Sequence, residues 1–297
     1  MADGKLALVT GGSGFIALHV IHKLLEKGYR VRTTVRSLKR SDEVRSAIRR
    51  AGVAESTVAG IEFVEVDLLG EAGWDAACTA PVTYGHAPRD AAFTEADWTE
   101  LQHPHSSVGA YAKSKTIAER AAWDWAADEG AGMELTTVNP ALVCGPALGV
   151  GNNTSLEIPR RLLSGAMPAI PDMSFGIVDV RDVADLHVLA LEAPGAAGQR
   201  YIAVSDEPYV TIKQMAADLK SRLPAADTRR VPSLPAPKFL LRVAALFDKG
   251  IAVVLPEIGQ VRPVSNKKAR DELGWRPRSA ADALVASAES LKANGEL

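Results

Sequence analysis

The first third of the chain alternates short apolar, β-rich runs with stretches whose apolar residues recur every three to four positions. KLALVT (5–10) reads as a buried strand and GFIALHVIHKLLEK (14–27) as a helix. In that helix Ile16, Val20, Ile21, Leu24 and Leu25 share one face, and Gly28 can end it. YRVRTTV (29–35) reads as a second strand, a charged helical stretch follows, and IEFVEVD (61–67) reads as a third. Strand–helix–strand repetition predicts right-handed crossovers and a parallel sheet. MELTTVNP (133–140) and QRYIAVS (199–205) are expected as later strands of the same sheet.

The last third has a different texture. TIKQMAADLKSRLP places Thr211 and Gln214 in capping-box register ahead of an apolar stripe of Ile212, Met215, Ala216, Leu219 and Leu223. A proline-rich stretch (232–237), a further helix and SNKKARDELGWRPRS follow. The expectation is a small, mostly helical second domain lying over the strand ends, where open α/β sheets bind ligands.

Composition narrows the function classes. The 297 residues are 47% apolar and 24% charged, ordinary for a globular chain with a substantial core. Thirty-four basic and 36 acidic residues give a net charge of −2, which offers no footprint for nucleic acid. Two cysteines, Cys78 and Cys144, are too few for a disulfide framework. No apolar run reaches membrane-spanning length, and MADGKLALVTGG lacks a signal-peptide core. These features predict a cytoplasmic protein that binds neither nucleic acid nor membrane.

VTGGSGFIA (9–17) lies where a phosphate-binding turn belongs, after the first strand and at the start of a helix. Gly11 and Gly14 allow a tight turn and close backbone approach, and a helix N-terminus favours a pyrophosphate. A binder of NAD places a carboxylate about 20 positions beyond such a turn, on the ribose 2′-hydroxyl. Here the neighbourhood reads TTVRSLKR, with Arg36, Lys39 and Arg40 and no acid. A guanidinium can grip a 2′-phosphate with its planar fork, so NADP is expected over NAD.

YAKSK (111–115) sets a tyrosine and a lysine four places apart, on one helix face if the stretch is helical. Spacing alone does not separate proton chemistry from an ordinary surface pair. Taken together, TGGSGFIA, TTVR, VDL (66–68), YAKSK, NPALVCGP and DVRDVADLHVLALE resemble the extended short-chain dehydrogenases/reductases, the epimerase/dehydratase superfamily. Within them the chain is most similar to the dihydroflavonol-reductase-like ketone and aldehyde reductases.

The resemblance implies a Rossmann-like doubly wound α/β fold. It implies a dinucleotide-binding domain over 1–146, with its last strand in 177–204, and substrate-domain segments over 147–176 and 205–297. Gly11, Ser13, Gly14, Phe15 and Ile16 would line the pyrophosphate. Arg36, with Lys39 beside it, would meet the 2′-phosphate, and Asp67 and Leu68 would border the adenine. Pro140 would lie beside the nicotinamide, with Ser155 near it. Tyr111 would be the acid that protonates a small-molecule carbonyl as hydride arrives. Lys115 would hold the nicotinamide ribose, and a cation placed there favours a phenolate. A nucleotide-sugar epimerase or dehydratase is the alternative chemistry, disfavoured by TTVR.

Other residues invite blander readings. His103 and His105 lack further metal-spaced ligands, so no metal is expected. Cys144 reads as a small packed thiol, and Asp179 and Asp182 as helix caps or partners of buried amides. Trp123 and Trp125 cannot face one way on a helix, so one should pack and the other stay partly exposed.

The family pattern breaks between VDL and YAKSK. The family has two more strands there, the second ending in a serine that hydrogen-bonds the substrate carbonyl. A strand–helix–strand unit needs roughly 30 residues or more, and residues 68–110 contain no β-rich run of that kind. Thr79 carries the one hydroxyl near the serine's place. A sheet lacking two central strands is therefore expected, with two unpaired inner edges and weak or absent turnover. A catalytically inactive nucleotide-binding remnant is the second reading, and a monomer or weak homo-oligomer the expected state.

Overall fold

The computed structural model describes residues 4–66, 83–84, 86, 89–101, 108–128, 130, 132–149, 154–239, 241, 255 and 258–297. Strand β1 (Leu6–Val9) leads into helix α1 (Phe15–Glu26), then β2 (Arg30–Val35), α2 (Ser41–Arg50), α3 (Glu55–Ala59) and β3 (Glu62–Glu65). Gly28, at φ 83°, ends α1 as the sequence predicts, in the left-handed region that a Cβ disfavours. The three strands form a parallel sheet in the order β1-β2-β3. Leu18, Ile21 and Leu24 of α1 bury against Val31, Val35, Val44 and Ile48, closing one face of that sheet.

The middle of the chain supplies α4 (Ala110–Asp128), β4 (Thr137–Pro140), β5 (Leu142–Cys144) and α5 (Glu157–Ser164). A short strand β6 (Ser174–Phe175), β7 (Ile177–Asp179), α6 (Val180–Glu192) and β8 (Arg200–Ala203) follow. Strand β4 pairs with β8 and β5 with β7, both in parallel. Beyond them lie β9 (Val210–Thr211), α7 (Ile212–Arg222), α8 (Ala225–Thr228), α9 (Lys267–Leu273) and α10 (Ala280–Ala293). Thr211 caps α7 by accepting from the Gln214 amide, but the Gln214 side chain turns to Asp218 instead of completing the box. Helices α7 and α10 enclose a second core of Leu162, Ile177, Ile212, Met215, Leu219 and Leu284.

Helices α1 and α6 join the two halves. Val188 of α6 enters the α1 core, and Lys23–Asp185 (2.7 Å) and Lys27–Glu192 (2.5 Å) clasp the rim. Asp179 caps α6 through the Arg181 amide, and Asp182 accepts from the Arg278 amide at 2.6 Å, the roles the sequence suggests. Trp125 is exposed, whereas the half-buried Trp123 donates to Glu119. Residues 133–136, read as strand from sequence, precede β4; Met133 bonds back to Gly130, while the Leu135 carbonyl accepts from the Gly198 amide ahead of β8.

The inner edges stay open among the described residues. Strand β1 pairs with β2 alone and β4 with β8 alone. Leu6 and Leu8, 45% and 56% exposed, point away from the α1 face into solvent. Their neighbours on that face, Arg30 and Arg32, are tied to Glu62 across the strands. Among the described residues, no helix is long and apolar enough to cross a membrane.

Candidate functional site

The glycine turn is built from three glycines with three different jobs. Gly11 sits at φ 64°, which a side chain would strain, and a Cβ there would meet open space. Gly12 faces β2 so closely that a Cβ would come 2.1 Å from Thr33 Oγ1. Gly14 opens α1, which has no side-chain cap and no acidic residue in its first turn. The end of β2 holds the turn in place. The Gly11 amide donates to Thr34 Oγ1 (2.9 Å), the Gly12 amide to the Thr34 carbonyl (2.9 Å), and Thr33 Oγ1 to the Val9 carbonyl (2.7 Å). Uncapped amides beside an open concavity are what a phosphate requires. Ser13 is half-buried in the turn; Phe15 and Ile16 pack their side chains against the Val183–Trp275 cluster.

Arg36 follows β2 directly. It is exposed and has no ion pair with any described residue, unlike Arg40, which grips Glu43, and Arg30 and Arg32, which grip Glu62. Lys39, in a short 3-10 turn (Leu38–Arg40), is likewise exposed and unpaired among the described residues. The Leu38 amide donates to Glu65 at 2.9 Å, which fixes this loop to β3.

The loop after β5 is clamped from three sides. His19 Nε2 on α1 lies 2.9 Å from the Pro146 carbonyl, and Arg50 Nη2 donates to the Leu148 carbonyl at 2.7 Å. The Gly145 and Ala147 amides donate to Ser287 and Ser290 of α10. Burial pushes the His19 imidazole down to about 4, so it is neutral near pH 7 and donates through Nε2. Cys144 is fully buried and its thiol is pushed up to about 12 by burial, a packed group as expected. Pro140 ends β4 opposite Ala203, and Ser155 sits half-buried in the turn (Thr154–Leu156) before α5.

Helix α4 carries Tyr111 and Lys115 on one face, with Lys115 Nζ 5.9 Å from the Tyr111 ring centroid. Tyr111 is 70% exposed, and its hydroxyl has no hydrogen-bond partner among the described residues. No hydrogen bond or ion pair joins either residue to the glycine turn. Deeper on the helix, the fully buried Glu119 receives Arg200 Nε (2.7 Å), Thr137 Oγ1 (3.0 Å) and Asn139 Nδ2 (2.8 Å). An open cleft of about 440 Å³ between residues 94–96 and 198–200 contains none of the site candidates. Its floor, Arg200, is already bonded to Glu119 and to the Glu95 and Asp97 carbonyls.

The structure thus gathers Gly11, Ser13, Gly14 and Arg36 around one turn and sets Tyr111 with Lys115 on another element. Thr79, Asp67, Leu68, Cys78, His103 and His105 lie outside the described residues. Among the described residues, no three metal-ligating side chains cluster. Gly12, Thr33 and Thr34 escaped the sequence reading, although the paired glycines and paired threonines were visible in it.

Comparison with known proteins agrees with this architecture. The NAD dependent epimerase/dehydratase family matches in two stretches, residues 7–87 and 82–203. Cinnamoyl-CoA reductase 2 of Arabidopsis thaliana is 31% identical over 246 residues, covering 68% of this chain and 73% of that one. Ketoreductase azaE of Aspergillus niger is 27% identical over 301 positions, covering 77% of this chain and 86% of that one. An alignment of 301 positions that takes up only 77% of a 297-residue chain must open gaps in it. Yeast methylglyoxal/isovaleraldehyde reductase Gre2, solved with NADPH, superposes with a TM-score of 0.71 at 21% identity, covering 98% of this chain and all of that one. With strand, glycine turn and parallel crossovers in the family's order, the chain belongs to the NAD dependent epimerase/dehydratase family.

Proposed function

We propose that this chain descends from NADPH-dependent carbonyl reductases, with Tyr111 as proton donor and Lys115 as its partner. The observation that carries the reading is the Tyr111–Lys115 pair on one face of α4, with Lys115 Nζ 5.9 Å from the ring. The named activities of the relatives, a cinnamoyl-CoA reductase and a ketoreductase, support the same class of substrate, a small-molecule ketone or aldehyde. Arg36, unpaired at the end of β2, suits the 2′-phosphate of NADP, and the uncapped start of α1 suits its pyrophosphate. When bound, the cofactor supplies the hydride. Lys115 would hold the nicotinamide ribose, and Pro140 and Ser155 would flank the ring. Tyr111 would deliver its hydroxyl proton to the carbonyl oxygen. In this reading 1–146 and 177–204 bind the dinucleotide, and 147–176 and 205–297 shape the substrate side.

A second reading, a nucleotide-binding remnant with little turnover, is favoured by the open edge of β1. The family's two intervening strands would pair with the open edge of β1 and bring a serine to the substrate, and the helix between them would lie over Leu6 and Leu8. Here both leucines face solvent. Thr79 would be the nearest hydroxyl. Weak carbonyl reduction with intact NADPH binding is the expected outcome. Tyr111→Phe should remove nearly all of that turnover while NADPH binding, followed by fluorescence, stays close to that of the parent. A Tyr111→Phe protein that keeps most of its turnover would overturn the assignment of the acid.

A further inference from the structure

Helix α4 is poorly held for its length. Of its 19 residues only Ala112, Thr116 and Glu119 are buried, and Ile117 and Trp125 are exposed along with Tyr111. Ala112 and Thr116 offer little beyond small contacts, Thr116 Oγ1 bonding its own helix at the Ala112 carbonyl. Glu119 is different. Its carboxylate reaches into the sheet and is met there by Arg200 from β8 and by Thr137 and Asn139 from β4. The Arg200 guanidinium is itself locked. It donates to the Glu95 and Asp97 carbonyls and stacks 3.8 Å from the Trp98 ring. Trp123, one turn beyond Glu119, donates to the same carboxylate at 3.4 Å.

Position on the helix makes this network matter. Residues 111, 115 and 119 follow each other at i, i+4 and i+8. Each step of four turns the side chain by about 40° and advances about 6 Å along the axis. Glu119 therefore lies about 80° around the axis from Tyr111, buried against the sheet while Tyr111 is exposed, one turn along from Lys115 and two from Tyr111. A carboxylate fixed by three donors from two strands sets both the rotation of α4 and its axial position. No other buried polar side chain of α4 reaches the sheet.

We propose that Glu119, locked by Arg200, Thr137 and Asn139, is the positioning residue that presents Tyr111 and Lys115 at the nicotinamide side of the fold. This rests on the reading of Tyr111 and Lys115 given above. Glu119 touches neither cofactor nor substrate. It acts through the helix, and a displacement of about 1 Å at the reacting atoms can cost on the order of 10²-fold in rate.

The test compares Glu119→Gln and the double variant Glu119→Met/Arg200→Met with the parent, each shown folded by thermal melting. The double variant removes both charges together, so neither is left buried without its partner, and melting shows whether it stays folded. Carbonyl reduction is followed against pH with saturating NADPH. Incorporated 3-fluorotyrosine gives a Tyr111 signal in ¹⁹F NMR, assigned by its loss in Tyr111→Phe. The expected result is a kcat lowered on the order of 10²-fold in the double variant and less in Glu119→Gln. The pH profile should change, the KM for the carbonyl should hold, and NADPH should no longer shift the Tyr111 fluorine signal as in the parent. A folded double variant with parental kcat, pH profile and NADPH-dependent fluorine shift overturns the proposal. If Tyr111→Phe retains turnover, the acid assignment fails instead. If the parent itself does not turn over, the fluorine shift alone decides.

Discussion

In the proposed function, cofactor choice would turn on Arg36. The other arginines of β2 and the following loop, Arg30, Arg32 and Arg40, each have a carboxylate partner, and Arg36 has none among the described residues. A charge-assisted bond to a 2′-phosphate is worth roughly 1.5–3 kcal/mol, about one to two decades of affinity. NADPH should accordingly bind more tightly than NADH by that factor, and Arg36→Ala should bring the two together. Equal affinities in the parent, measured by fluorescence titration, would contradict this. The exposed position of Arg36 just after β2 was legible in the sequence because the strand before it and the missing acid after it are both local signals. Gly12 was not, because its constraint is the Thr33 side chain of another strand, 2.1 Å from where a Cβ would stand.

At the scale of elements, what the sequence showed was periodicity within α1 and α7 and the β-runs of β1 to β3. What it hid was the way elements hold each other. The three-residue strands β5 and β7 are too short for a pattern and exist because they pair with each other. Glu119 carried no signal in the sequence and is bonded by Arg200 of β8. His19 likewise went unread in the sequence and is the peg that holds the β5 loop by the Pro146 carbonyl. That peg carries a pH signature. Burial holds the folded His19 at about 4 against an ordinary 6.5, so between those values the unfolded chain binds the proton and the folded one does not. Stability is full above about 6.5, falls as pH drops toward 4, and then levels, a loss of up to roughly 3 kcal/mol from this one group. Urea unfolding of the parent and His19→Gln between pH 7 and pH 5 checks this. The parent should lose stability more steeply than the variant, which keeps a donor for Pro146 but does not titrate. Parallel curves would remove His19 as the cause.

At the scale of the whole molecule, α1 and α6 join the β1-β2-β3 sheet to the half that holds the parallel pairs β4-β8 and β5-β7, while β1 pairs with β2 alone and β4 with β8 alone among the described residues. Open inner edges are what the gap between VDL and YAKSK leads one to expect, and residues 67–82 of that gap lie outside the described residues. An open strand edge is a template for another chain, and the four residues of β1 between Lys5 and Thr10 are all apolar. Leu6 and Leu8 are about half exposed, whereas fully burying a leucine is worth roughly 1.5–3 kcal/mol. Two molecules meeting edge to edge through β1 would recover part of that for four leucines and pair the free amides and carbonyls as well. The protein should therefore melt at modest temperature and associate weakly as concentration rises. Leu8→Lys should suppress the association with little cost to folding, since the side chain is 56% exposed and a lysine can extend into water. Light scattering coupled to size exclusion, run on parent and variant over a concentration series, measures both. A parent that stays monomeric throughout and unfolds cooperatively above about 60 °C, the upper part of the mesophilic range, would show that the open edge of β1 is covered by another part of the same chain.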